Sequence, residues 1–353
     1  MDFKDCLLKQ FNKHPSMRPQ DVVKLCYQAA LGAEHLLADV DGARRYFNSE
    51  FEGVEPRDGD LLELISPDVA RIDLGVWKTS GMPKEWLFNI FVASAGALRG
   101  DKEDLDSYLK IAEDCFENAH PIFDRKEWEG FIEQYIALGM PALHHSKEYR
   151  DAEKPSYRII DSRFLTLLPI LERASMLKAS DGARVISIDG RAASGKSTLA
   201  ELLSKALYAQ KIHMDDFFLP PELRSEERLN EIGGNIHYER FAKEVLPSIR
   251  SKSCFSYRVF DCSQMKMGGE RRIEASDWRI VEGSYSHHPS FGEYADIRVF
   301  VTVSSETQMG RIIVRNGEKM AEMFKDRWIP MEEVYFNGKR IKENADIVIS
   351  TEA

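Results

Sequence analysis

The sequence predicts an α/β protein in two parts: a mostly α-helical domain over residues 1–178, then, over 179–353, a parallel β-sheet with helices on both faces. Three observations carry this expectation. Beyond residue 183, short β-branched runs alternate with helix-forming stretches, the pattern of crossover units in a parallel sheet. The first run, Val185-Ile186-Ser187-Ile188, leads through a glycine-punctuated loop into the helical sequence Leu199-Ala200-Glu201-Leu202-Leu203. Ahead of residue 178, apolar residues recur at helical spacing in one segment after another.

Composition narrows the class. At 353 residues the chain is long for one domain and comfortable for two. A hydrophobic fraction of 43% supplies real cores. No apolar stretch approaches the roughly 20 residues needed to span a bilayer, so a soluble protein with no membrane partner is expected. Charges in Met1-Asp2-Phe3-Lys4-Asp5-Cys6 stand where a signal peptide needs its apolar core, which favours a cytoplasmic location. The five cysteines (Cys6, Cys26, Cys115, Cys254, Cys262) are scattered without a CxxC pair. They read as inert thiols in a reducing compartment, not as a disulfide framework or a zinc site. A net charge of -10 argues against a nucleic-acid binder, whose affinity rests on Lys and Arg neutralising phosphates. A homo-oligomer is compatible with the sequence.

In chain order, helices are expected over Asp21 to Leu37, Pro83 to Leu98, Asp101 to Ala119, Lys126 to Leu138 and Asp161 to Leu177. Leu61 to Leu74 leaves room for short extended segments. His35 beside Glu34, and the pair His144 and His145, have no third ligand at metal spacing and read as satisfied or solvated groups. Trp77, Trp86 and Trp128 are assigned to packing. The turn chemistry of Lys178-Ala179-Ser180-Asp181-Gly182 marks the boundary. Strands follow at Arg184 to Ile188, Lys211 to Met214, Ser256 to Phe260, Arg279 to Val281, Ile297 to Val303 and Asp346 to Ile349. Helices are expected over Thr198 to Ala209 and from Glu306. In such a sheet, ligands bind at the carboxyl ends of the strands.

The loop Asp189-Gly190-Arg191-Ala192-Ala193-Ser194-Gly195-Lys196-Ser197-Thr198 has the chemistry of a phosphate cradle. Gly190 and Gly195 admit backbone conformations closed to other residues, so the N–H groups of Ala193, Ser194 and their neighbours can turn toward phosphate oxygens. The helix that follows adds its positive N-terminal end. Lys196 offers a point charge, and Ser197 a hydroxyl for a bridging Mg2+ ion. Thr198 completes the run.

Three further stretches belong with it. Asp215, in His213-Met214-Asp215-Asp216, follows the second strand and points toward the same crevice, where it can accept a proton from an attacking hydroxyl. A capping role suits Asp216 better. Glu282 ends the strand Arg279-Ile280-Val281, where a carboxylate reaches a metal ion or its waters. Arg311 and Arg315 stand four apart, so on a helix both guanidinium groups face one way, placed to stabilise transferring phosphoryl charge. For Arg327 a solvated basic face is an equal reading.

Taken together, GRAASGKST, MDDFFLP, GGNIHYERF, RIVEGSYSHHP and RIIVRN make residues 184 to about 350 resemble the uridine kinase family of P-loop kinases, related to phosphoribulokinase and pantothenate kinase. The resemblance implies that Lys196, Ser197 and Thr198 hold ATP and Mg2+, that Asp215 is the base, that Glu282 assists the metal, and that Arg311 and Arg315 belong to a lid. It also places Asp216, His237, Tyr238, Arg240 and Tyr285 among the candidates on the acceptor side. Where uridine kinases carry an aspartate that grips the ribose hydroxyls, this chain reads Asn235-Ile236-His237-Tyr238. Their contacts to the base do not reappear around Tyr257-Arg258-Val259-Phe260-Asp261. A site built to bond a hydroxyl discriminates strongly, so a changed acceptor residue implies a changed substrate. The expected activity is transfer of the γ-phosphoryl group of ATP to a small-molecule hydroxyl, nucleoside-like first, pantothenate- or sugar-like second. The rival is an ATP sensor with the helical domain as effector. An NKxD guanine motif and an LSGGQ-like signature are both absent from the sequence.

Overall fold

The computed structural model describes residues 2–32, 39–97, 100–119 and 123–352. Its packing divides the chain into two compact units, Met1–Leu165 and Thr166–Ala353. The helix Leu168–Ser175 therefore goes with the second unit.

The first unit is mostly helical, with its longest helix at Lys102–Ala119. It also holds a small antiparallel sheet of β1 (Leu62–Leu64), β2 (Val69–Asp73) and β3 (Tyr157–Asp161), in the order β1-β2-β3. The short extended segments between Leu61 and Leu74 are β1 and β2. β3 is unanticipated, and its continuation is a 3-10 turn followed by the short helix Leu168–Ser175, not one helix from Asp161. Trp77, Trp86 and Trp128 are buried, as packing residues should be. His145 is a satisfied core histidine: Nδ1 bonds Asp21 Oδ1 at 2.9 Å, Nε2 bonds the Tyr157 hydroxyl at 2.7 Å, and the ring stacks on Tyr149. His35 lies outside the described residues. Among the described residues, no helix is long and apolar enough to cross a membrane.

The second unit is built on five parallel strands: β4 (Arg184–Gly190), β5 (Gln210–His213), β8 (Trp278–Glu282), β9 (Ile297–Thr302) and β10 (Ile347–Ser350). Their order is β10-β9-β4-β8-β5. β4 is buried along nearly its whole length, as expected of a central strand covered on both faces. Parallel register brings strand ends level, with Ile188 opposite Glu282 and Glu282 opposite His213. That alignment gathers the functional side chains at one edge.

One expected strand belongs elsewhere. The stretch expected over Ser256 to Phe260 is part of β6 (Phe255–Asp261), which pairs antiparallel with β7 (Lys266–Ile273) in a separate two-stranded sheet. Its burial alternates along the strand, as suits a ribbon with one wet face. Under it lies a core of Phe217, Phe241, Ile249, Tyr257 and Ile273.

Candidate active site

The loop after β4 is shaped by its backbone. Gly190 has φ +140°, and a Cβ there would fall 2.0 Å from the Val301 carbonyl oxygen of the paired strand β9, so only glycine fits. Ala193 (φ +54°) and Gly195 (φ +93°) take left-handed conformations that curl the chain into the helix Lys196–Leu207. The first N–H groups of that helix have no intrahelical acceptor, and its positive end faces the loop. Lys196 lies folded over the loop, donating from Nζ to the carbonyls of Gly190 (2.8 Å) and Arg191 (2.7 Å).

The loop is braced from several sides. Asp189, fully buried, accepts hydrogen bonds from the N–H groups of Gly190, Tyr285 and His287 and from the Tyr335 hydroxyl. Gln308 donates to Ala192 O at 3.0 Å and Thr351 Oγ1 to Ser194 O at 2.6 Å. Arg311 joins this bracing: its guanidinium donates to Ala193 O at 3.4 Å, Thr351 Oγ1 at 3.0 Å and Thr351 O at 2.6 Å. Arg315 has other company, bonding Asn316 and lying 6.0 Å from the Phe324 ring. Arg327 lies 5.2 Å from the Trp328 ring.

At the strand ends, Ser197 Oγ donates to Glu282 Oε2 at 3.1 Å, while Glu282 Oε1 bonds His213 Nδ1 at 2.5 Å. Burial alone would raise the Glu282 pKa. The bonds from His213 and Ser197 and the charge of Lys196 outweigh it and hold the carboxyl below its usual value. Asp215 sits in the 3-10 turn Met214–Phe217, where Met214 and Phe217 plug the core and Asp215 keeps exposed surface while protein closes in around its carboxyl group. Surrounding protein and the neighbouring Glu282 charge raise its pKa above the ordinary aspartate value, against the pull of Lys196 and His213. Lys196, Ser197, Glu282, His213 and Asp215 thus form one electrostatic cluster.

The acceptor-side candidates divide. Asp216 is buried, accepts from the Tyr257 hydroxyl at 2.8 Å and pairs with Arg271, whose Nε lies 2.9 Å from Oδ2. Arg240 is buried over the Phe217 ring and donates to the carbonyls of Asp216 and Arg258. Tyr285 is buried against Tyr335 with φ +74°. Asp216 is thus part of the turn that carries Asp215 and Arg240 buttresses it, whereas Tyr285 belongs to the bracing around Asp189. His237 precedes the helix Tyr238–Glu244, tied by its N–H to Phe217 O at 2.7 Å and by its ring to Glu239. Tyr238 stacks on His288, bonds Glu231, and lies under the Arg228 guanidinium, which also donates to its hydroxyl.

No protein-family model matches the chain. Over 181 residues it is 26% identical to uridine kinase-like protein 4 of Arabidopsis thaliana, a match covering 47% of this chain and 38% of that relative's length. The second unit resembles the uridine kinase-like P-loop kinases. Among solved structures, a possible uridine kinase from Bacillus stearothermophilus aligns at 19% identity, covering 53% of this chain and 96% of its own, with a TM-score of 0.40. D-glycerate 3-kinase from Cryptococcus neoformans aligns at 14%, covering 54% and 94%, with a TM-score of 0.39.

Several P-loop partners carry no local signal in the sequence. Gln308, Glu332 and Thr351 reach the P-loop from more than a hundred positions away. Asp189 was visible as the residue ending the β-branched run, but its partners were not. His213 stands two residues before Asp215 at the end of β5, where the sequence marks it only as a strand residue.

Proposed function

We propose that the second unit is a magnesium-dependent phosphotransferase that moves the γ-phosphoryl group of ATP to a hydroxyl of a small molecule. The observation that carries this reading is the convergence of a P-loop lysine, a hydroxyl–carboxylate pair and an aspartate that keeps exposed surface at neighbouring strand ends. A sensor of nucleotide needs no base there.

The residues suit the groups they would hold. The cradle at Gly190, with no room for a Cβ, and the left-handed backbone at Ala193 and Gly195 fit a polyphosphate. Ser197 and Glu282 offer hard oxygen ligands at hydrogen-bond distance of each other, the donor set of a magnesium ion that keeps its waters and shares phosphate oxygens. ATP with Mg2+ supplies the transferable group and neutralises its charge. Lys196 contributes a fixed positive charge, and Arg311 keeps the loop in shape from behind. Asp215 takes the proton of the acceptor hydroxyl; its raised pKa brings it nearer working pH and makes it a stronger base.

For the acceptor, the curated relative's name supports a nucleoside. The segment Asn235-Ile236-His237-Tyr238, with His237 at or near the place of the expected aspartate, favours a different polyol or pantothenate-like alcohol. Incubation with ATP, Mg2+ and a panel of nucleosides, sugars and vitamins, read by product mass, tests both. The kinase reading requires a phosphorylated acceptor whose formation Asp215→Asn suppresses. ATP binding or hydrolysis with no phosphorylated product across the panel would favour the sensor.

A further inference from the structure

We propose that Glu332 is a positioning residue for this reaction, locking the P-loop to the turn after β8 through the two oxygens of one carboxylate; the inference rests on the kinase reading above. Glu332 lies in the helix Ile329–Gly338 and is buried. Oε2 accepts the Ala192 N–H at 2.9 Å, and Oε1 accepts the Ser284 hydroxyl at 2.6 Å. Ala192 belongs to the phosphate cradle, and Ser284 comes two residues after Glu282. Beside Asp189, which accepts the Gly190 and Tyr285 N–H groups, Glu332 is a second side-chain tie between the loop that holds the donor and the strand end that carries the metal-side carboxylate.

Neighbours on the same helix reinforce the clamp. Tyr335 donates to Asp189 Oδ2 at 2.9 Å, and Glu333 pairs with Arg191 at 2.9 Å. A buried carboxylate is a costly way to pack a helix, since an apolar side chain would fill the space without desolvating a charge. Burial also raises the Glu332 pKa, with the Lys196 charge opposing. Both oxygens nevertheless accept hydrogen bonds, as those of an ionised carboxylate do, and a negative charge beside the cradle that would receive a polyphosphate works against nucleotide binding while the geometry of the carboxylate serves turnover.

Glutamine separates the two effects. Its carbonyl can accept the Ala192 N–H and its amide can donate to Ser284 Oγ, with the charge removed. The experiment compares Glu332→Gln and Glu332→Ala for Mg-ATP dissociation constant by calorimetry, kcat with the best acceptor, and thermal midpoint. We expect Glu332→Gln to bind Mg-ATP severalfold more tightly than the native protein. We also expect its kcat to exceed that of Glu332→Ala by about tenfold or more, the scale on which small misplacements act. A folded Glu332→Ala protein with native kcat, or a Gln variant binding ATP no more tightly than the native protein, overturns the inference. If the Ala variant fails to fold, the Gln affinity still decides. Lys196→Ala is the control for the underlying reading: if it binds Mg-ATP as the native protein does, the P-loop assignment fails and not the role of Glu332.

Discussion

Ser197 Oγ donates to Glu282 Oε2 across 3.1 Å, joining the first turn of the P-loop helix to the end of β8. His213 holds the other carboxylate oxygen at 2.5 Å. Together they favour the ionised form of Glu282 despite burial, the form that the proposed magnesium role requires. Glu282→Gln should lower turnover by roughly 10²-fold and raise the Mg2+ concentration needed for half-maximal rate. Initial rates across a magnesium titration at fixed ATP measure both, and a native titration curve would refute the assignment.

Asp215 makes a prediction in pH. As a base it must be ionised, and its pKa lies above that of a free aspartate, so the rate should fall on the acid side at a higher pH than an unperturbed aspartate near 3.9 would give. Asp215→Asn should reduce kcat by roughly 10²–10⁴-fold and abolish that acidic limb. A kcat/KM profile from pH 5 to 9 on both proteins decides it.

Asp189 is a stability centre more than a reacting group. Replacing it with Ala leaves the Gly190, Tyr285 and His287 N–H groups and the Tyr335 hydroxyl without their acceptor. The expected loss is about 3 kcal/mol, against about 1 kcal/mol for Tyr335→Phe, which removes a single bond. Denaturant midpoints of the second unit's transition give the comparison.

The first unit should weaken in acid. His145 is held neutral by burial, its pKa pushed down to about 4 from 6.5. As pH falls, the unfolded chain takes up this proton first, so the stabilisation is complete above about 6.5 and is lost progressively down to about 4, at no more than about 1.4 kcal/mol per pH unit. Asp21, whose pKa is lowered despite burial by its bonds to His145, Ser146 and Arg18, extends the loss below its unfolded value of 3.8. His145→Asn should flatten the profile between pH 6.5 and 4, as read by urea midpoints.

Legibility followed sequence distance. The P-loop, Asp215 and Glu282 could be read because each is set by a strand end and a few adjacent residues, and parallel register does the rest. Only β6 of the β6–β7 hairpin is legible in the sequence, because Lys266–Ile273 holds two glycines and the consecutive charges Glu270-Arg271-Arg272, which do not advertise a strand. The expected lid arginines show the limit of spacing. Four residues apart places Arg311 and Arg315 on one face, but Arg311 turns back to Thr351 because the end of β10 offers a hydroxyl and a carbonyl there. Glu332, 140 positions from Ala192, was invisible for the same reason: helix periodicity says which face is buried, not what it meets.

The β6–β7 ribbon is a sheet of its own. Its hydrogen bonds are local, and its ties to the Asp215 turn run through side chains such as Tyr257 and Arg271. The donor chemistry instead depends on strands that cannot slip without dismantling the central sheet. The ribbon can therefore be lengthened, trimmed or resurfaced without disturbing the strands that carry the P-loop.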